Sequence, residues 1–261
     1  MTKHITGRAA MKLAAAALLA GAAVSGAAGA KPAGHGAMKP AAAIADSHRP
    51  EANRKMDEGR KPQAILAFSA FRPGDVVADW GAGGGYYSEL IADVVGPKGL
   101  VYAINSPAFY KPEVWEPLLK AHPNVKPLLA PADAQQLAPN SVDAIFAHLE
   151  YHDLYFISEK FKHPKLNVPA VIANWFAAVK PGGQVIVVDH VALPGDPREN
   201  TNKYHRIDPD QVRHDMTAAG FVEAGESDVL RRSDDPHNVI VFDPSVRGKT
   251  DRFALKFRKP G

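Results

Sequence analysis

The sequence predicts an α/β domain with a seven-stranded, mostly parallel sheet and helices on both faces of the sheet. Short apolar runs alternate with segments of helical periodicity over most of the chain, as in proteins with parallel sheets. The run 184–191 is rich in valine and isoleucine, which is typical of a strand buried on both faces. The last two predicted strands have no helix between them, so we expect the final strand to run antiparallel.

Each predicted strand is a short apolar run with turn-forming residues at its ends. Pro73-Gly74 marks the turn into the first strand. The segment Lys180-Pro181-Gly182-Gly183 separates a helix from the fifth strand. The predicted strands are 76–80, 99–105, 125–130, 141–148, 184–191, 221–230 and 253–258.

The predicted helices have apolar residues at helical spacing and recognisable ends. Pro62 breaks the first helical segment into pieces, and Pro117 interrupts the third. Asp208 is a suitable N-cap for the last helix, which Gly220 ends. The predicted helices are 49–71, 86–95, 111–122, 168–179 and 209–219.

Residues 1–30 have the form of an export signal. Lys3, Arg8 and Lys12 precede a short apolar stretch, and Ala28-Gly29-Ala30 matches a signal-peptidase site. The apolar stretch is too short for a comfortable membrane span, so we expect no stable membrane insertion once it is cleaved. The sequence predicts cleavage after Ala30, a periplasmic or secreted protein, a flexible linker over 31–48 and one domain over 49–261.

The composition excludes several classes of partner and site. The formal charge of the 261 residues is +3, and removing the three cations of the leader leaves 28 Lys and Arg against 28 Asp and Glu. A neutral mature protein argues against a nucleic-acid surface. The chain has no cysteine, which excludes disulfides, thiolate metal sites and a cysteine nucleophile. Nothing in the sequence indicates an oligomeric state.

The segment that says most about function runs from Asp79 through Gly81, Gly83 and Gly85, directly after the first strand. A strand, a glycine turn and a helix place bare backbone N–H groups against a bound small molecule. The dinucleotide pattern G-x-G-x-x-G fails because its sixth position is Tyr86, and no Lys-Ser or Lys-Thr completes a phosphate loop. The pattern D-x-G-x-G-x-G that remains resembles the first motif of class I S-adenosylmethionine-dependent methyltransferases.

This resemblance implies a Rossmann-like methyltransferase fold and S-adenosylmethionine as the cofactor. It implies that the glycine turn passes under the methionine part and that Asp79 orients the amino group of the cofactor. An acid that grips the ribose usually follows the second strand; Asn105 stands there and loses the charge-assisted grip. Asp133 fits the acid that meets the adenine amino group, and His148 borders the sulfur. The alternative interpretations are that Asn105 starts a turn and that Asp133 caps one.

Histidines and acids that follow strands four and five are the candidate catalytic residues. His152 is our first choice for a general base, since its unperturbed pKa lies near 6.5. Asp153 could orient a ring or bind substrate, and His190 and His205 are the next choices for the base. Each of them could instead cap a helix or face solvent. The charged run 247–252 is expected to be a solvated hairpin, with a grip on an anionic substrate as the alternative.

The sequence predicts no metal site. His148 and His152 have i, i+4 spacing, but a zincin has Glu directly after the first His, where Leu149 stands here. The whole pattern, including the leader, resembles a group of predicted exported bacterial methyltransferases. We therefore expect a methyltransferase that acts on a small acceptor outside the cytoplasm.

Two alternatives stay open. One is a binding protein for a nucleoside-like metabolite on the same fold, and the other is a lyase or hydrolase that uses the His/Asp cleft. S-adenosylmethionine is made in the cytoplasm, so an exported enzyme needs an external supply, which keeps the first alternative open.

Overall fold

The computed structural model describes residues 36–261, which carry one seven-stranded sheet in the order β3-β2-β1-β4-β5-β7-β6. Strands β1 to β5 run parallel to one another, and β7 is antiparallel to both of its neighbours, β5 and β6. The predicted mostly parallel sheet with an antiparallel last strand is therefore confirmed. The strands are β1 Val76–Trp80, β2 Leu100–Asn105, β3 Val125–Leu129, β4 Val142–His148, β5 Val179–His190, β6 Val222–Ser227 and β7 Arg252–Arg258.

Nine α-helices and two short 3₁₀ helices accompany the sheet in this part of the chain. The 3₁₀ helices are Ala132–Ala134 and His152–Leu154. The α-helices are α1 Pro40–Ala45, α2 Glu51–Arg54, α3 Asp57–Arg60, α4 Pro62–Ser69, α5 Tyr86–Val95, α6 Pro112–Ala121, α7 Val168–Ala178, α8 Pro197–Tyr204 and α9 Pro209–Ala218. The predicted signal peptide and its cleavage site lie outside the described residues.

Of the flexible linker that the sequence predicts over 31–48, residues 36–48 lie in the described part of the chain, and there the structure differs from the prediction. Residues 40–45 form α1, since Pro40 is pre-organised for a first helical turn and the alanines that follow favour helix. Ala43 is fully buried against α4 and α5. The guanidinium of Arg49 then donates to Glu89 of α5 at 2.8 Å, in a buried ion pair. The segment is therefore packed onto the domain.

The helical segment 49–71 is in three pieces, where one or two are predicted. Lys61 has a left-handed conformation, with φ of 44°, between α3 and α4. Pro62 then occupies the first turn of α4, where its missing N–H costs nothing. Helix α8 was not predicted, and β5 begins at Val179 instead of residue 184, with a register irregularity opposite Val142 and Ala144.

The sheet is covered on both faces, and each face has its own apolar core. On one face, Trp80 and Trp175 meet edge to face with ring centroids 5.0 Å apart, beneath α7 and α9. On the other, Phe146 and Val188 pack under α4 and α5. Because the faces are closed, ligands have access mainly at the carboxyl ends of the parallel strands. No helix between residues 36 and 261 has the length and apolarity that crossing a bilayer requires.

Candidate functional site

The glycine turn after β1 depends on conformations and space that only glycine allows. Gly81 and Gly85 have φ of 69° and 83°, in the left-handed region. A Cβ on Gly85 would lie 2.4 Å from Leu118 Cδ1, so α6 packs directly on the turn. Asp79 is buried beside the turn and accepts a hydrogen bond from Ser88 on α5 at 2.5 Å. Burial raises the pKa of the Asp79 carboxyl to about 6.

Asn105 at the end of β2 fixes the glycine turn. Its Oδ1 accepts a hydrogen bond from the Gly83 N–H at 2.9 Å, and its Nδ2 donates to the Gly83 carbonyl at 3.2 Å. Trp115 Nε1 donates to the same carbonyl at 3.2 Å. An ionised Asp could accept but not donate, so the two-point contact requires an amide. This contact is a structural reason for the departure from the acid that methyltransferases usually have here.

A cavity of about 190 Å³, the glycine-turn cavity, opens at the ends of β1, β2 and β4. Of the predicted cofactor residues, Gly81, Gly83 and Asn105 line it, and the predicted catalytic residue Asp153 also does. The rest of its lining comes from Trp80, Ser106, Phe109, Ala132, Gln135, Glu150, Leu154, His163 and Leu166.

The other predicted cofactor residues are not in this lining. Asp79 and Gly85 lie behind the turn, on the side of α5 and α6. Asp133 is exposed on its 3₁₀ helix, while its neighbours Ala132 and Gln135 reach the cavity. His148 is buried against the Tyr87 ring, with centroids 4.6 Å apart. The predicted contacts of these four residues with a cofactor thus have no support in the geometry.

Glu150 lies directly over the glycine turn. A Cβ on Gly81 would come within 2.2 Å of Glu150 Cγ, so only a glycine leaves room for this side chain. Burial, then repulsion from Asp153, raises the pKa of Glu150 well above its ordinary value. The cavity therefore has a carboxyl group against its glycine floor and a second one, Asp153, in its wall.

His152 is held by Asp189, the residue at the penultimate position of β5. Its backbone N–H donates to Asp189 Oδ2 at 2.8 Å, and its Nδ1 lies 2.8 Å from Asp189 Oδ1. Its Nε2 lies 3.4 Å from Asp153 Oδ1. Burial opposes the charged imidazolium, but Asp189 and Asp153 outweigh burial and raise the pKa of His152 to about 9. His152 is therefore an imidazolium at neutral pH.

His205 and His190 complete this cluster. The rings of His205 and His190 lie 5.5 Å and 6.0 Å from the ring of His152, and His205 Nδ1 lies 3.8 Å from Asp153 Oδ1. The four predicted catalytic residues thus converge. His152, Asp153 and His205 offer ligand atoms within 4.8 Å of one another, a spacing at which three side chains could hold a divalent cation. The expectation of no metal stays a prediction.

A second, larger cavity lies on the other side of residues 148–150, and we call it the basic cavity. Its volume is about 560 Å³, and Leu149 and His190 lie in its wall beside a set of Lys and Arg side chains. Leu149 has a left-handed conformation with φ of 61°, which is uncommon for a residue with a side chain. Glu150 borders the glycine-turn cavity and Leu149 borders the basic cavity, so this strained step separates the two.

His190 differs from His152 in charge. Its Nδ1 lies 2.7 Å from Thr250 Oγ1, which also accepts a hydrogen bond from Arg252 Nε at 3.0 Å. Burial, then the charge of Arg252, lowers the pKa of His190 well below its ordinary value. The imidazole is therefore neutral at neutral pH. If Nδ1 donates to the second lone pair of Thr250, its Nε2 is a free proton acceptor.

Sequence reasoning did not choose Glu150 or Asp189 among the catalytic and cofactor residues, although both are visible in the sequence at the ends of β4 and β5. Sequence reasoning also gave no role to Arg60, because Arg60 lies in a short helix that is distant in sequence from the glycine turn. Arg60 stacks on the Tyr86 ring, with 4.3 Å between the guanidinium carbon and the ring centroid, and it lines the basic cavity. A third cavity of about 430 Å³, lined by Arg72 and other residues, lies at the opposite, amino-terminal ends of the parallel strands.

Comparison with known proteins identifies the fold. No family model matches the sequence, and no curated protein matches it. Among solved structures, a S-adenosylmethionine-dependent methyltransferase from Aquifex aeolicus is similar at 20% identity, with a TM-score of 0.55, over 85% of this chain and 98% of that one. One from Mesorhizobium loti is similar at 14% identity and a TM-score of 0.54, over 78% and 100% of the two chains. The fold is that of the S-adenosylmethionine-dependent methyltransferases.

A further enzyme described as a putative member of this class, from Listeria monocytogenes, is similar at 11% identity and a TM-score of 0.53, over 78% of this chain and 99% of that one. The predicted resemblance is thus confirmed as a likeness of fold over most of the domain. Identities this low carry the fold and not the reaction.

Proposed function

We propose that this protein binds S-adenosylmethionine in the glycine-turn cavity and transfers its methyl group to a small acceptor. The observation that carries the proposal is the pairing of a glycine floor with two carboxyl groups, Glu150 and Asp153, in one cavity. The ligand has two positive groups, a sulfonium and an ammonium. A positive charge beside Glu150 opposes the burial and the Asp153 repulsion that raise the pKa of Glu150, so the ionised carboxylates stabilise the bound cation.

The residues of the cavity fit this cofactor if Glu150 moves. Ligand pockets usually measure about 300–1,000 Å³, while this cavity has about 190 Å³ beside the Glu150 side chain. Glu150 fills the space over Gly81, but its side chain makes no hydrogen bond with any residue between 36 and 261, and it rotates about three bonds. Turning it from Gly81 enlarges the cavity and keeps its carboxyl group near the bound cation.

When bound, S-adenosylmethionine would supply a methyl group on a sulfonium; an acceptor nucleophile that attacks this carbon in line displaces S-adenosylhomocysteine as the leaving group. The protein contributes mainly the positioning of the two partners. If the acceptor carries a proton, His190 is better suited than His152 to receive it. His190 is neutral and borders the larger cavity, whereas His152 is already protonated between Asp189 and Asp153. In this proposal His152 holds the carboxylates of Asp189 and Asp153 in place.

The small volume beside Glu150 favours a second candidate function, namely binding of a nucleoside-like metabolite without methyl transfer. Titration calorimetry with S-adenosylmethionine and S-adenosylhomocysteine separates the two. Binding of both ligands, weakened for the sulfonium in Glu150→Gln but unchanged in the exposed Asp133→Asn control, supports the transferase. Tight binding of S-adenosylhomocysteine alone supports the second candidate. Binding of neither rejects both.

We also propose that the protein works outside the cytoplasm, on the basis of the leader at 1–30. The N-terminal sequence of the protein from a periplasmic fraction should begin at Lys31. Recovery of the full-length chain from the cytoplasm alone would contradict export.

A further inference from the structure

The basic cavity contains a surplus of positive charge. One acidic side chain, Glu58, lies in its wall. Its cationic side chains come from three separate parts of the chain, namely α2 to α3, the loop after β6 and the start of β7. They are Lys55, Arg60, Arg232, Arg247, Lys249 and Arg252. A concave surface with cations from several elements concentrates the field of each of them in one place.

Two of these cations are removed from water without a carboxylate partner. Arg252 is 4% exposed, and its guanidinium donates only to neutral oxygens, Thr250 Oγ1 at 3.0 Å and the Gly59 carbonyl at 3.0 Å. Arg60 is half-buried and stacks on Tyr86. Neither makes a salt bridge with any residue between 36 and 261, and residues 1–35 contain no Asp or Glu. A buried charge of this kind is costly unless it is compensated.

Two acidic residues that neighbour these arginines in sequence already have cationic partners. Asp57 accepts two hydrogen bonds from Arg49, at 2.8 and 2.9 Å. Asp251, next to Arg252 in sequence, is paired with Arg231 and with His237, each at 2.9 Å. In the part that the structure describes, Arg60 and Arg252 therefore have no carboxylate within salt-bridge distance, and Asp79 and Asp57 act on Arg60, and Asp189 on Arg252, only through longer-range attraction.

We infer that the basic cavity binds an oxyanion group, a phosphate or a carboxylate, and that this group belongs to the methyl acceptor. The guanidinium groups of Arg60 and Arg252 would bind the oxyanion, because a planar fork of N–H donors matches its oxygens. A cavity of about 560 Å³ has the size for a small molecule, and it is concave, unlike the extended surface that binds a polymer.

The position of the cavity makes the oxyanion part of the acceptor, and this assignment depends on the proposed function. His190 lies in the same wall and is joined to Arg252 through Thr250. An acceptor held by Arg252 therefore places its remaining atoms beside the neutral imidazole. Across Leu149 lies the glycine-turn cavity, where the methyl donor is proposed to bind. The binding of the anion itself does not depend on methyl transfer.

Titration calorimetry with inorganic phosphate and, separately, with acetate tests the inference on the purified protein at constant ionic strength. We expect saturable binding of at least one anion, and we expect Arg252→Gln and Arg60→Gln to weaken it by about tenfold or more, since charge-assisted hydrogen bonds are lost. Arg213→Gln is the matched control, because Arg213 is a partly buried arginine paired with Glu223 and Glu226 far from the cavity. Circular dichroism checks that each variant is folded.

If Arg252→Gln does not fold, the exposed Arg247→Gln and Lys249→Gln variants replace it, with a smaller expected loss. Absence of binding of either anion, or equal weakening in Arg213→Gln, overturns the inference. Tighter binding of phosphate than of acetate assigns a phosphate-bearing acceptor, and the reverse assigns a carboxylate. The same samples titrated with S-adenosylmethionine keep the two proposals apart. Anion binding without cofactor binding rejects the transferase, while cofactor binding without anion binding rejects the oxyanion site.

Discussion

Replacement of Asp79 by Asn should stabilise the ligand-free protein, although Asp79 belongs to the most recognisable motif of the sequence. Burial raises its pKa from 3.8 to about 6, against the opposing effects of the Ser88 hydrogen bond and the Arg60 charge. A shift of about two units corresponds to about 3 kcal/mol of unfolding free energy. Asn accepts the Ser88 hydrogen bond with its carbonyl oxygen and has no charge to bury.

The sign of the pH dependence follows from the raised pKa. The favourable contribution of protonated Asp79 is complete below pH 3.8 and is lost as the pH rises through about 6. The advantage of Asp79→Asn should therefore grow from about 1.5 kcal/mol at pH 5 to about 3 kcal/mol at pH 8. Urea unfolding at several pH values measures it, with the exposed Asp133→Asn as a control that leaves stability unchanged.

A stability difference that stays constant between pH 5 and pH 8 would refute this reasoning. So would a variant less stable than the natural protein at pH 8. Either result would mean that Asp79 is ionised throughout and that the Arg60 charge outweighs the cost of burial. The carboxylate would then be a fixed partner of Arg60, and the uncompensated charge of the basic cavity would be smaller than we infer.

Three further predictions concern the site. Gly81→Ala and Gly83→Ala should each lower the unfolding free energy by about 1–2 kcal/mol, because both positions have a left-handed backbone conformation. Only Gly81→Ala should also displace a side chain, since a Cβ at Gly83 would meet open space. Urea unfolding compares the two variants. Asn105→Asp should lower the unfolding free energy by about 1–3 kcal/mol, because a carboxylate would then face the Gly83 carbonyl, which accepts a hydrogen bond from the Asn105 amide. An unchanged midpoint of urea unfolding would contradict this. The His152 ring should titrate near pH 9 by NMR, and Asp189→Asn should lower that pKa.

The sheet could be predicted because its information is local. Each strand is a short apolar run between turn residues, and the lack of a helix between β6 and β7 fixes the antiparallel direction of the last strand. The glycine turn could be predicted for the same reason, because positive φ at Gly81 and Gly85 requires this residue type wherever the turn packs.

The packing of residues 36–48 could not be predicted from composition. An alanine-rich stretch has little apolar surface to bury, so the sequence predicts a flexible linker. The anchoring of this stretch depends on the packing of Ala43, Met38 and Ile44 against the core under α4 and α5, and on a buried pair between Arg49 and Glu89. Both depend on the shape and charge of elements that are distant in sequence, so the pattern of the segment alone does not predict them.

The strand ends that carry the candidate site could be predicted, but not the contacts of each side chain there. The rule that ligands bind at the carboxyl ends of parallel strands selects the end of the sheet where the glycine-turn cavity lies, but alternation along a strand sends consecutive residues to opposite faces. Asp189 therefore faces His152 while His190 faces Thr250. Asp133 and His148 were placed in the cofactor site by the same rule, and the geometry turns the first to solvent and the second into the core against Tyr87.

The two cavities have opposite charge, and this contrast favours group transfer over simple binding. A pocket that only captured a nucleoside would need the carboxyl groups of Glu150 and Asp153, but it would not need unpaired arginines on the far side of Leu149. A sulfonium donor and an anionic acceptor attract one another, so a protein that bound both at once would need to hold them at a fixed separation and orientation. The strained backbone at Leu149 lies between the two cavities and is stiffened by the hydrogen bond from its N–H to Val188 of β5. In-line transfer requires the acceptor nucleophile to contact the methyl carbon, so Leu149 and Glu150 must move aside in the reaction that we propose, whereas binding of two ligands at a distance would leave both residues in place.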